Sequence, residues 1–401
     1  MTSDAPQPRL PITALIAASL FFNGTGYAAT LPYTGIVAIE GLGFSNADYA
    51  LVLSAGSVAG VLASVALGYM SDRIGDRRML VLFAALMGAI GYGLVYALRS
   101  PLAFVAANCV IIPFGGALFS QCFGYARAYQ DARNPGRAEF TITILRTVFS
   151  ASWVLMPPVA GWVAATYQVF DVYGLAAVAY LGSGLAFVIL LFDPAARVGK
   201  AETRTASTAG GGIAKAVLVG IGGIVLINVA LRLNGTAAPL AIVTDFGGTL
   251  ADVGTCAALA AFLEIPFTLA WGVATRRWKK HVLITCSALV YTLYLFLLTQ
   301  AQTVTDVLWL QIFNGVAVAG LMSIPISYMQ EAIRGQVGLS TSLLDVVFVL
   351  SGLLSAALFG LLATSTGYVA LFWISGVLSL IGALVLMLAH RVFEPRLAAA
   401  G

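Results

Sequence analysis

Four charged side chains lie deep inside apolar stretches of this 401-residue chain: Arg146, Arg232, Glu264 and Asp345. Charge in the hydrocarbon interior is costly, and where it persists it usually serves an ion path, a proton relay or a ligand. Glu264 is the clearest case. It stands in Phe262-Leu263-Glu264-Ile265-Pro266, near the middle of its apolar run. Pro266 has no N–H to give to the helical ladder, which loosens the backbone there. A carboxylate so placed suits proton carriage, protonated when open to one side and deprotonated when open to the other. Arg146 is its natural switch partner. Asp345 is a second carboxylate candidate, and Arg232 balances it in charge. The competing reading is structural, with ion pairs that only fix helix register.

Uncharged polar residues recur where a cavity would be: Asn23, Thr25, Gln121, Asn228, Asn234, Gln311 and Asn314, with Tyr27, Tyr33, Trp153 and Tyr328 among them. Amides offer both a donor and an acceptor, and aromatic faces stack on apolar planes, so the set suits a hydroxyl-rich ligand. Against this stands plain helix–helix hydrogen bonding, worth about 0.6 kcal/mol on average in such bundles. Trp271 and Trp309 fall nearer the ends of apolar runs and are expected as interface anchors.

These residues need a scaffold of membrane helices. The chain is 60% hydrophobic and 9% charged, with mean hydropathy +0.94, against roughly a quarter charged in a soluble domain. Apolar stretches of about 20 residues, enough to cross the hydrocarbon core, recur along it. Helices are expected because lipid offers no partner to a free backbone amide. Twelve spans are read, at 11–39, 47–71, 79–98, 102–126, 138–164, 172–192, 216–240, 252–275, 281–299, 306–330, 338–364 and 369–390. The first apolar run exceeds the roughly 7–15 residues of a cleaved leader's core, so it is expected to be a span. With the N-terminus in the cytoplasm, every Lys and Arg outside the spans except Arg99 falls in a cytoplasmic segment. That bias places both termini inside.

The net charge of +4 reflects these loops and does not point to nucleic acid. Cys109, Cys122, Cys256 and Cys286 form no CxxC pair, so neither a metal site nor a disulfide framework is expected, and no cofactor is implied. His281 and His390 are the only histidines, both at span ends. No nucleophile–base set points to an enzyme.

Segment 193–215 is the one long polar linker and carries Gly210-Gly211-Gly212, a flexible composition. It separates a six-helix bundle at 1–192 from another at 216–401. The halves read as a repeat. Asn23-Gly24-Thr25 in the first span matches Asn234-Gly235-Thr236 in the seventh, and Ile144-Leu145-Arg146-Thr147-Val148-Phe149 in the fifth matches Leu343-Leu344-Asp345-Val346-Val347-Phe348 in the eleventh. Arg276-Arg277-Trp278-Lys279-Lys280 occupies the place of loop 72–78. As glycosylation acceptors the Asn-Gly-Thr triplets are discounted, since mid-membrane Asn is not a surface loop.

The segment Gly68-Tyr69-Met70-Ser71-Asp72-Arg73-Ile74-Gly75-Asp76-Arg77-Arg78 resembles the signature loop of the major facilitator superfamily of secondary transporters. That resemblance implies an all-α membrane protein of two pseudo-symmetric six-helix bundles, working by alternating access as a monomer. Gly68, Asp72, Arg73, Gly75, Arg77 and Arg78 would form its gating loop, with Asp72 near the N-terminus of the eleventh helix, whose dipole attracts an anion.

The chain is also similar to the bacterial sugar efflux transporter family. Tyr125-Ala126-Arg127-Ala128-Tyr129, Arg146 with Trp153-Val154 and Pro157-Pro158, Leu263-Glu264-Ile265-Pro266, and Leu310-Gln311-Ile312-Phe313-Asn314 carry that similarity. It implies export of sugars or glycosides across the bacterial inner membrane in exchange for protons. The superfamily arrangement also suggests the pairs Arg146–Glu264 and Arg232–Asp345. Arg232, Asp345 and the Asn-Gly-Thr repeat depart from the family pattern, so a multidrug exporter of the same fold and a proton symporter stay open.

Overall fold

A computed structural model describes residues 11–74, 76–198, 215–332 and 337–398. Among the described residues there is no strand; the chain is a succession of long helices. They are α1 Ile12–Gly41, α2 Asn46–Arg73, α3 Arg77–Leu98, α4 Pro101–Arg133, α5 Ala138–Thr166, α6 Asp171–Leu191, α7 Lys215–Thr244, α8 Leu250–Ala274, α9 Lys280–Leu298 and α10 Val304–Ala332. A last segment, Val337–Ala398, is two helices joined at Gly367. There the backbone turns to φ 76° and ψ 170°, a conformation glycine adopts without a Cβ penalty. It separates α11 (337–366) from α12 (368–398). Eleven stretches are long and apolar enough to cross a membrane, the last of them holding α11 and α12 together. The twelve spans read from hydropathy are therefore present.

Local chemistry sets several helix ends. Asp76 caps α3 by accepting from the Arg78 backbone N–H, and Ser100 caps α4 ahead of Pro101. Thr249 and Asp252 form a reciprocal capping box on α8. Each satisfies an amide that the first helical turn leaves without an internal partner. Proline rings interrupt α5 (Pro157, Pro158), α7 (Pro239), α8 (Pro266) and α10 (Pro325).

The distribution of polarity is that of a protein bathed in lipid. Leu102 and Leu361 are 79% and 75% exposed, while Ser19, Asn23 and Ser183 are fully buried. Lipid is as apolar as leucine, so helices associate through small residues and hydrogen bonds rather than by hiding large apolar side chains.

Packing divides the chain into two compact units, Met1–Phe44 with Ala55–Thr203, and Ser45–Ser54 with Arg204–Gly401. In the first unit α1 packs on α5 and α6, and α3 packs on α4 and α6. Ser19 and Ser183 share a 2.6 Å hydrogen bond across α1 and α6. In the second unit α7 packs along the α11–α12 segment, α9 packs on α10 and on the same segment, and α8 packs on α10. The α7–α12 crossing is close: a Cβ on Gly223 would lie 2.6 Å from the Gly382 carbonyl oxygen, and the reverse is equally true. The first turns of α2 belong to this unit as well, where Tyr368 donates to Asn46 Oδ1 at 3.1 Å. Most of the linker read at 193–215 lies outside the described residues.

Candidate functional site

Three groups of predicted residues can be placed. The first is the basic loop between α2 and α3. Arg78 is buried and is its hub. Its guanidinium grips Asp76, with Nη2 2.6 Å and Nε 2.9 Å from the carboxylate oxygens. It also donates to the carbonyls of Leu190 at 2.8 Å and Asp193 at 3.3 Å, at the end of α6. The Arg78 guanidinium beside Asp76 holds that carboxyl below the usual carboxylate range, because a cationic donor stabilises the ionised form. Arg77 donates to the Gly124 carbonyl of α4 at 3.3 Å, and Arg73 lies 4.2 Å from the centre of the Tyr69 ring. Nothing within its reach crowds Gly68. Gly75 and the side chain of Asp72 lie outside the described residues.

The turn after α6 is locked from a second side. Buried Tyr125 donates to the Ala196 carbonyl at 2.6 Å, and Arg133 donates to the Ala195 carbonyl at 3.1 Å. Asp76 and Asp193 were not among the candidates read from the chain. Position after a helix end says nothing of which arginine will reach it.

The second group is amides and tyrosines. In the first unit Asn23 is fully buried on α1 and donates from Nδ2 to the Tyr180 hydroxyl of α6 at 3.3 Å. Tyr180 donates onward to the Gly115 carbonyl of α4 at 3.5 Å, and its ring centre lies 5.3 Å from that of Tyr92 on α3. Tyr180 fits because α3 has Gly88 beside it, where a Cβ would come within 2.0 Å of the ring. Thr25 is buried nearby in sequence, and its Oγ1 has no partner. Gln121 and Trp153 are half-buried on α4 and α5.

In the second unit Asn234 of α7 is buried close to Tyr291 and Tyr294 of α9. Gln311 of α10 lies near Tyr294. Gln311 donates to the Val307 carbonyl at 3.2 Å and accepts from Asn314 Nδ2 at 2.7 Å. Asn228 is buried and donates to its own helix, to the Ile224 carbonyl at 3.0 Å. Each Asn-Gly-Thr asparagine is on the first helix of its unit and near a buried tyrosine, but the tyrosine is on the sixth helix in the first unit and on the third in the second. Tyr92, Tyr180, Tyr291 and Tyr294 escaped sequence reading, since a tyrosine in an apolar run carries no signal of its own.

The third group is the intramembrane charges. Glu264 is half-buried on α8, and within its own unit it has no hydrogen-bond or ion-pair partner among the described residues. Arg146 of α5 stands 6.0 Å from the Phe123 ring centre. Arg232 and Asp345 belong to the same unit, yet they form no ion pair among the described residues. Arg232 instead lies 5.8 Å from the ring centre of Phe348, one turn along α11 from Asp345. Trp271 differs from its expected place at the interface: its Nε1 turns inward and donates to the Val316 carbonyl of α10 at 2.8 Å. The indole N–H is a donor that lipid cannot satisfy, so it ties α8 to α10. Trp309 remains 70% exposed. No three His, Cys, Asp or Glu side chains gather as a metal site among the described residues.

Long apolar helices, polar buried seams and a charged loop anchored at a helix end define a multi-pass membrane protein. The chain belongs to the major facilitator superfamily, whose model matches residues 16–231 and 220–400. It is 27% identical over 379 residues to a putative sugar efflux transporter of Deinococcus radiodurans, covering 93% of this chain and 96% of the relative. It is 26% identical to sugar efflux transporter A of Escherichia coli, over 90% of this chain and 92% of that one. Among solved structures, the nucleoside transporter NupG aligns with a TM-score of 0.78 at 13% identity, over 95% of this chain and 99% of that one. The POT family transporter PepTSo aligns at 0.80 and 10% identity, over 96% and 99%. These last two speak for the fold alone. The chain is a transporter and not an enzyme.

Proposed function

We propose that this transporter exports sugars or glycosides across the bacterial inner membrane in exchange for protons, by alternating access. The observation that carries the proton half of this reading is Glu264, a half-buried carboxylate inside the apolar α8 with no partner in its own unit and Pro266 two residues on. A carboxylate in that setting gains from taking a proton and, when opened to water, from releasing it. Arg146, on the other unit, is its switch partner in this reading, and Asp345 is the second carboxylate candidate for the proton, with Arg232 in the same unit. Support for the substrate comes from relatives named sugar efflux transporters that align over nearly the whole chain. The buried amides and tyrosines supply hydroxyl partners. Asp72 acts at the gate, both termini face the cytoplasm, and a single chain suffices.

The test is transport in proteoliposomes under an imposed pH gradient, with radiolabelled lactose and a simple glycoside. Gradient-driven movement that Glu264→Gln abolishes, while gradient-free exchange survives, is the expected result. No sugar movement by the wild type overturns the substrate. Equal gradient-driven movement in the variant overturns the role of Glu264 and turns attention to Asp345.

A further inference from the structure

The amide pair on α10 has a fixed polarity. The constraint begins at the Val307 carbonyl, which can only accept a hydrogen bond. Gln311 Nε2 donates to it at 3.2 Å, so the Oε1 end of the same amide faces the other way. There it accepts from Asn314 Nδ2 at 2.7 Å. Asn314 therefore presents Oδ1 away from the pair, and that oxygen is buried without a partner among the described residues. Turning the Asn314 amide end for end would set oxygen against oxygen. Turning both amides would set Gln311 Oε1 against the Val307 carbonyl.

The first unit holds a second asparagine oxygen of this kind. Tyr180 donates to the Gly115 carbonyl at 3.5 Å and accepts from Asn23 Nδ2 at 3.3 Å, although a hydroxyl, which can donate or accept, does not force that direction. Asn23 Oδ1 is then buried and unpartnered as well. On α10 a backbone carbonyl dictates, through Gln311, that Asn314 offers an acceptor and not a donor. A buried acceptor with no donor costs free energy until one arrives, whereas a pair of apolar groups would cost nothing.

We infer that Asn314 Oδ1 is a specificity determinant that demands a hydrogen-bond donor from the ligand, and that Gln311 is the positioning residue that fixes this demand. The inference rests on the proposed transport of sugars. The ligand class it selects is a neutral polyhydroxy compound with a free O–H directed at this oxygen. A group at that position that can only accept leaves the oxygen unpaired, and sites built to pair with a hydroxyl reject analogues that lack it.

The test is inhibition of gradient-free exchange of a labelled glycoside by a series of its deoxyfluoro analogues. In each analogue one hydroxyl is replaced by fluorine, which removes the donor without adding charge or much volume. In the wild type, fluorine at one ring position should weaken inhibition about tenfold, the cost of one unmatched hydrogen bond. That loss should vanish in Asn314→Leu, which no longer asks for a donor. In Gln311→Leu it should shrink, because the freed Asn314 amide can turn its NH2 towards the fluorine. The wild-type series needs no variant: if every monofluoro sugar inhibits like the parent, the inference fails. It fails also if the loss persists unchanged in both variants. Absence of exchange with any parent sugar overturns the substrate reading itself, an outcome distinct from equal inhibition by all analogues.

Discussion

His281 and His390, the two histidines of the chain, lie stacked with ring centroids 3.9 Å apart and planes 5° from parallel. They come from the start of α9 and the end of α12, 109 positions apart by their numbers. The Tyr328 hydroxyl of α10 and His390 Nε2 share a hydrogen bond of 2.8 Å. These rings tie three helices of the second unit at one end, where Lys280 of α9 also pairs with Glu331 of α10 at 2.8 Å. Parallel ring planes do not converge their lone pairs on one point, so the stack is a packing device and not a metal site.

Removal of this tie should be felt as stability. His390→Leu loses both the stack, worth about 0.5–1.5 kcal/mol, and the Tyr328 bond, worth about 1 kcal/mol. His281→Phe keeps a ring in place and should cost less than half as much. Thermal unfolding of the detergent-solubilised protein measures both. Equal losses in the two variants would mean that ring stacking contributes nothing specific.

The Asp76–Arg78 pair predicts a pH dependence. The folded-state pKa of Asp76 is depressed, so its stabilisation is present above the unfolded value of about 3.9 and is lost as pH falls through the folded value. Asp76→Asn should therefore destabilise the protein by about 2 kcal/mol at pH 7. The gap between wild type and variant should close below about pH 4. Unfolding midpoints from pH 7 to pH 3 check this, and a gap independent of pH would show that the charge of Asp76 is not its source, since asparagine caps a helix as well as aspartate does.

Adjacent glycines on α7 should respond in opposite ways. A Cβ on Gly223 meets the Gly382 carbonyl oxygen at 2.6 Å and the Leu386 backbone nitrogen at 3.0 Å, all backbone that cannot swing aside. Gly223→Ala should cost about 1–3 kcal/mol from overpacking. Nothing lies within 4 Å of a Cβ on Gly222, so Gly222→Ala should be neutral or stabilise by up to about 1 kcal/mol through helix propensity. Comparison of the two unfolding curves decides it, and equal behaviour would contradict the close crossing of α7 and α12.

Much of the architecture was legible beforehand. A stretch of apolar residues long enough to span lipid is a local property, so the helices could be read one by one. Even the break at Gly367 falls in the gap left between the eleventh and twelfth runs. The turn signals at Asp76, Ser100-Pro101 and Thr249 are equally local. The repeat of Asn-Gly-Thr could be seen because both copies keep the same short order of residues.

What the linear order of residues could not decide was partnership. Asn23 reaches Tyr180 across 157 positions, and Arg78 reaches the Leu190 carbonyl across 112. Arg232 faces Phe348, although charge alone favoured Asp345. Hydropathy says how deep a side chain sits along the membrane normal, but not which way it points around its helix. By itself the sequence determined the spans, the loops and the inventory of polar groups. Only the tertiary structure decided which of those groups are already satisfied and which, like Asn314 Oδ1, still lack a donor. The physical reason is that hydrogen bonds are short and directional, while the signal that builds membrane helices is neither.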